Sequence, residues 1–162
     1  MSRPAPRRAP REPLEIGWRE HVGMPDLGIL SMRAKIDTGA RTSALHVTDL
    51  EEFERGGFTW TTFRVPIEGK TDGLHCEVQT VDQRKIRNTG GSQEHRHIIE
   101  TIMVLGRRRW LIEVSLTNRE HMEFDLILGR TAIRRHRMLI NPGRSYLVGF
   151  PIGPKPAAHS LN

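Results

Sequence analysis

Cysteine is almost missing from this chain: Cys76 is the single one in 162 residues. No internal disulfide can form, and a reducing compartment is the expected setting. Aromatic residues make up only 6% and all hydrophobic residues 36%, a modest supply of core material that favours a wide contact between two copies. No run of about 18 apolar residues occurs, and the N-terminal region has no continuous apolar segment of the signal-peptide kind. No membrane association is therefore expected, and a cytoplasmic protein is. The metalloprotease motif His-Glu-x-x-His does not occur either. Gly69-Lys70-Thr71 has the ending of a phosphate loop, but Arg64 stands where that loop needs its first glycine, so no nucleotide cofactor is expected.

What charge there is lies unevenly. The formal net charge is +6, and half of that excess sits in residues 1–13, where Arg3, Arg7, Arg8 and Arg11 face only Glu12. Pro4, Pro6, Pro10 and Pro13 are interleaved with them. Proline fixes φ and removes a donor, so this stretch is expected to be a disordered basic tail without helix or ladder. Pro151, Pro154 and Pro156 mark a second loose tail over residues 151–162. Residues 14–150 are left as one domain, long enough to bury a core of its own.

Inside that domain Asp37-Thr38-Gly39 occurs once, after the alternating run Met32-Arg33-Ala34-Lys35-Ile36. Two carboxyl groups held about 3 Å apart cannot both ionise, so one acts as base toward water and the other as acid toward a carbonyl. Glycine lets backbone amides approach such carboxylates and lets the chain turn sharply. Thr38 adds a hydroxyl that needs a partner once buried. A chain with one such aspartate must borrow the second from another copy across a two-fold axis, so the motif predicts a homodimer. The plainer reading is a surface turn, where Asp and Gly are common. Ile36 before the motif and Ala40, Ala44, Leu45 and Val47 after it favour a segment entering and leaving a core.

The remaining pattern is one of short strands. Residues 58–65 and 74–81 alternate around a turn at 69–73, and residues 97–105 and 110–116 flank Gly106-Arg107-Arg108-Arg109. Residues 124–128 form a short apolar run ending at Gly129. Only residues 130–137 look helical. An all-β, small closed barrel with one short helix near its C-terminal end is expected. Asn88-Thr89-Gly90-Gly91-Ser92 is a cluster of turn formers between residues 81–87 and 96–101, the pattern of a long hairpin able to close over a peptide.

Asp37-Thr38-Gly39-Ala40, the Gly90-Gly91 hairpin and Leu126-Ile127-Leu128-Gly129-Arg130 follow one another in the order of retropepsins. With Gly17-Trp18-Arg19-Glu20 and Ala34 to His46, they resemble the bacterial and archaeal retropepsin-like aspartic protease family of RimB type, often labelled ATP-dependent zinc proteases. The resemblance covers about residues 15–150. It implies an acid-protease barrel working as a homodimer on peptide or protein substrates. Asp37 would be the catalytic acid and base, Thr38 the residue locking two turns together, Gly39 the point of backbone approach, and residues 88–92 the flap tip. Ile127, Leu128 and Gly129 would pack beneath the turn. Viral retropepsins place an acid where Arg41 stands, so Arg130 is left to find another partner among Glu77, Asp82 and Asp125.

The inherited zinc label finds only His95 and His97 on one strand face, with His75, Cys76 or His121 as a third. A solvated hairpin with incidental histidines is the expected reading, and no metal site is assigned. Any role for ATP would come through a partner, since some family members are linked to RimK-type ATP-grasp ligases that add glutamates to a ribosomal protein. The main functional expectation is an aspartic endopeptidase. Arg84, Lys85, Arg87 and Arg96 on the flap arms would favour acidic, glutamate-tailed substrates. The alternative is a non-catalytic dimeric module that binds or regulates a RimK-type ligase or a ribosomal partner. No platform of basic and aromatic residues for sequence-specific nucleic-acid recognition is expected.

Overall fold

The computed structural model describes residues 12–87, 90–120 and 123–152. Strands dominate, with one four-residue helix, as the short alternating segments predict. In chain order they are β1 (Leu14–Gly17), β2 (Arg19–Met24), β3 (Ile29–Asp37), β4 (Ser43–His46), β5 (Thr48–Arg55), β6 (Phe58–Ile67), β7 (Lys70–Gln79), β8 (Asp82–Arg87), β9 (Gln93–Leu105) and β10 (Arg108–Thr117). β11 (Leu126–Gly129), helix α1 (Arg130–Ile133) and β12 (Met138–Asn141) complete the chain.

The main sheet has seven strands in the order β10-β4-β11-β3-β2-β9-β8, and β9 also pairs with β10 along eight residue pairs. The contact of β9 with β2 is the one pair Gly23 with Val104. β5, β6 and β7 form a separate antiparallel sheet, and β1 runs parallel to β12. Phe63, Val65 and Cys76 of the smaller sheet are buried in the same core as Val22, Met24, Met103 and Leu126 of the larger one. Burial raises the Cys76 thiol pKa, and its Sγ lies 3.4 Å from the Leu27 carbonyl.

One expectation shifts in detail. The helix ends at Ile133 and does not reach residue 137: Arg137 adopts a left-handed conformation, φ 52°, and the chain enters β12 at once. β5 carries the sequence TDLEEFER and is mostly exposed. It shows no apolar alternation because it is an edge strand, held to β6 by ladder hydrogen bonds.

Candidate functional site

Along β3 the alternation buries Met32, Ala34 and Ile36 and turns Arg33 and Lys35 outward. Asp37, last in the strand, continues the outward set and is half-buried. Its Oδ1 accepts the Gly39 amide at 3.1 Å, and the Ala40 amide donates to its carbonyl at 3.2 Å. This is a tight turn of the kind a short carboxylate stabilises by bonding its own backbone. Thr38 and Gly39 are exposed, and the Thr38 hydroxyl has no hydrogen-bond partner among the described residues.

The turn is held from beneath. β11 runs parallel to β3 with Gly129 opposite Asp37. A Cβ on Gly129 would lie 2.7 Å from the Thr42 carbonyl carbon and 2.9 Å from the Arg41 oxygen, so only glycine lets the two segments approach. The Gly129 amide donates to Ser43 Oγ at 3.0 Å, and the Arg130 amide to the Ala40 carbonyl at 2.8 Å. Thr131 Oγ1 donates to the Arg41 carbonyl at 2.7 Å. Arg130 Nη1 reaches the Gly39 carbonyl at 3.2 Å. That corrects the carboxylate partners expected for Arg130: Glu77 is bound by Arg55 and Asp82 by Arg84, and the backbone oxygen beside Asp37 accepts the guanidinium instead.

The hairpin expected over residues 81–101 is present as β8 and β9, paired up to Arg87 with Gln93. Asn88 and Thr89 lie outside the described residues, and Gly90, Gly91 and Ser92 are exposed. The arm of the hairpin meets the Asp37 turn. Gly39, Ala40, Arg41 and Thr42 face Arg84, Lys85, Ile86 and Arg87 across a groove of about 460 Å³. Arg84 is taken up by Glu113, at 2.8 and 3.2 Å, and by Asp82 at 2.6 Å. The hydrogen bonds to Glu113 and Asp82 push its pKa further up, and the Arg84 bond, followed by the Gln83 amide, lowers that of Asp82. Arg96, only 4% exposed, is bound to Glu94 and Ser115. Of the four flap-arm cations, then, only Lys85 and Arg87 are exposed without an ion pair among the described residues, and Arg41 joins them from the turn. A concavity of about 500 Å³ at the other end of β3, between His21, Arg33, Phe124 and Phe150, contains none of the sequence-predicted site residues.

The histidines do not converge. The His95 and His97 rings are 6.4 Å apart. His97 shares a 3.3 Å hydrogen bond with Thr80 Oγ1 and sits 3.8 Å from a Glu52 oxygen. Burial lowers its pKa, which the Glu52 carboxylate partly offsets and His95 lowers further. No three His, Cys, Asp or Glu side chains gather as a ligand set among the described residues, and His121 lies outside them.

Glu20 closes the Gly17-Trp18-Arg19-Glu20 stretch, where the sequence alone assigns it no role. It is fully buried, and its carboxylate accepts the amides of Gly17 at 2.6 Å, Leu147 at 2.9 Å and Val148 at 3.2 Å. It thereby ties residues 147 and 148 to the end of β1. A glutamate three residues after a glycine, between strands, is the local trace of such a bond, but its distant acceptor role has no local signal.

The family model described as the retropepsin-like aspartic endopeptidase RimB matches residues 15–151. This chain belongs to the RimB-like family. Its curated relatives are named for a different activity. A protein of Shewanella pealeana named probable alpha-L-glutamate ligase is 36% identical over 136 residues, 83% of this chain and 30% of that protein. One of the same name from Desulfotalea psychrophila is 35% identical over 83% of this chain and 29% of its own length. The chain thus spans about three tenths of the curated relatives it matches. A crystal structure of a protein of unknown function from Legionella pneumophila is similar with a TM-score of 0.72 and 28% identity, over 83% of this chain and 98% of that one. These relatives overturn the expectation of an aspartic endopeptidase as the function of the chain. The sequence they share with it occurs in proteins named for making a bond to glutamate, which favours the alternative of a module attached to ligation.

Proposed function

We propose that this domain serves α-L-glutamate ligation as a binding module. In this reading it holds a glutamate-rich chain for a ligase of RimK type, or for the ribosomal protein that such a ligase modifies. The observation that carries the reading is the shared 136-residue stretch in proteins named probable alpha-L-glutamate ligase. The groove beside the Asp37 turn supports it. Arg41, Lys85 and Arg87 offer positive charge to successive carboxylates, and the exposed arm of β8 offers strand hydrogen bonds to an extended peptide. Two copies would meet at their Asp37 turns, where Thr38 has a hydroxyl to spend and the clamp through Gly129 and Arg130 keeps the turn rigid. The pairing of β9 with β10, β2 and β8 would give that contact a stiff base.

The test is fluorescence anisotropy with a peptide ending in several glutamates, paired with sedimentation and with mass spectrometry of the peptide afterwards. Binding that weakens about tenfold in Lys85→Gln/Arg87→Gln is expected, with the peptide recovered intact. If the wild type shortens the peptide and Asp37→Asn does not, the binding reading fails.

A further inference from the structure

Basic and aromatic side chains gather at the far end of α1. Arg107, Arg108 and Arg109 come from the tip of the β9–β10 hairpin, and Arg134, Arg135 and Arg137 from the turn between α1 and β12. The two segments are brought together by Arg108, whose Nη1 donates to the His136 carbonyl at 3.0 Å. The six arginines put six positive charges on two short segments. Among the described residues none of the six has an ion-pair partner. Beside them Trp110 stacks on His136 with centroids 4.1 Å apart and planes at 18°. The indole is fixed in place, since Nε1 donates to the Ala132 carbonyl at 2.7 Å. Arg109, Trp110, Arg135, His136 and Arg137 line a groove of about 290 Å³. The same face holds the start of the described chain: Arg108 Nη2 donates to the Glu12 carbonyl at 2.9 Å, and the Leu14 amide donates to the Arg137 carbonyl at 2.9 Å.

We propose that this face binds single-stranded nucleic acid, an unpaired base stacking at the Trp110–His136 pair while the arginines take successive phosphates. The choice of guanidinium over ammonium points to phosphate, whose oxygens a planar fork matches in pairs. A stacked aromatic pair at the centre of the charge suits a ligand with flat π-faces, which a glutamate chain does not have and a duplex keeps covered. The face uses none of the residues of the Asp37 groove, so it stands or falls apart from the glutamate reading.

The experiment is anisotropy with labelled oligouridylate and oligothymidylate of about twelve nucleotides, with a matched duplex and an oligoglutamate as competitors, over a range of salt. For the full chain, log affinity should fall against log salt with a slope of about −4 if all six arginines meet phosphates. Arg109→Gln/Arg135→Gln/Arg137→Gln should flatten the slope by about 2 and cost about 100-fold at 0.1 M salt. His136→Ala, which spares the better-packed Trp110, should cost about tenfold and leave the slope unchanged. Equal affinity for the two oligonucleotides, or preference for one, tells DNA from RNA, and either supports the proposal. Binding untouched by the triple variant, binding lost only when Arg3, Arg7, Arg8 and Arg11 are replaced, or equal competition by duplex or oligoglutamate would overturn it.

Discussion

Beside the Asp37 turn, Arg84 is spent on Glu113 and Asp82 and Arg96 on Glu94, so that Arg41, Lys85 and Arg87 alone charge the groove. Beyond α1, six arginines crowd two short turns with no carboxylate among the described residues bound to any of them. Both regions read as basic along the chain. What separates them is where strand pairing delivers acids: β8 carries its own Asp82 and lies against β9, whose other neighbour β10 supplies Glu113, whereas the hairpin tip and the post-helix turn have no such neighbour. Local pairing, more than the number of cations, sets the field a ligand meets.

The largest effect that sharpens this contrast is one that belongs to neither region. Glu20→Ala leaves three amides without their charged acceptor and should cost about 3 kcal/mol of stability in urea denaturation, lowering both surfaces together. Gly129→Ala acts on one side only. Its new Cβ would press on the Arg41 and Thr42 backbone, for a loss of about 2 kcal/mol. Glutamate-peptide binding should fall with it while oligonucleotide binding stays, and an equal loss of both would break the separation. Arg84→Gln frees Glu113 and Asp82 to face the groove. Partly exposed pairs of this kind are screened, so stability should change by less than about 1 kcal/mol, while affinity for a glutamate peptide drops several-fold.

The smallest effect is a pH dependence at His97. Burial lowers its pKa in the fold, so protons bind the unfolded chain more readily. Its neutral form therefore favours the fold fully above the ordinary value of 6.5. That contribution is lost as pH falls from there through the lowered folded value. Thermal melts of wild type should decline over that window, and His97→Gln should flatten part of the decline. Identical profiles would remove His97 from the account.

Much of the scaffold was legible because it is local. The alternation through Met32, Ala34 and Ile36 announced β3, and the glycine at 106 announced the β9–β10 hairpin. The order of the Asp37 turn, the hairpin and the Leu126–Gly129 strand was legible too, and the family match over residues 15–151 agrees with it. Illegible were β5, whose charged exposed surface hides its ladder, the parallel union of β1 with β12, and the carbonyl that accepts Arg130. Each depends on a partner far away in the chain, and period-two patterning carries no information about which strand lies alongside.

By itself, then, the order of residues determined a β-rich chain with an aspartate turn at a strand end, since side-chain alternation and turn chemistry act over a few neighbouring positions. Only the tertiary structure decided which arginines are neutralised and which stand open around Trp110 and His136. Coulomb attraction and stacking work across a few ångströms of space, and in a sheet those distances are set by strand order.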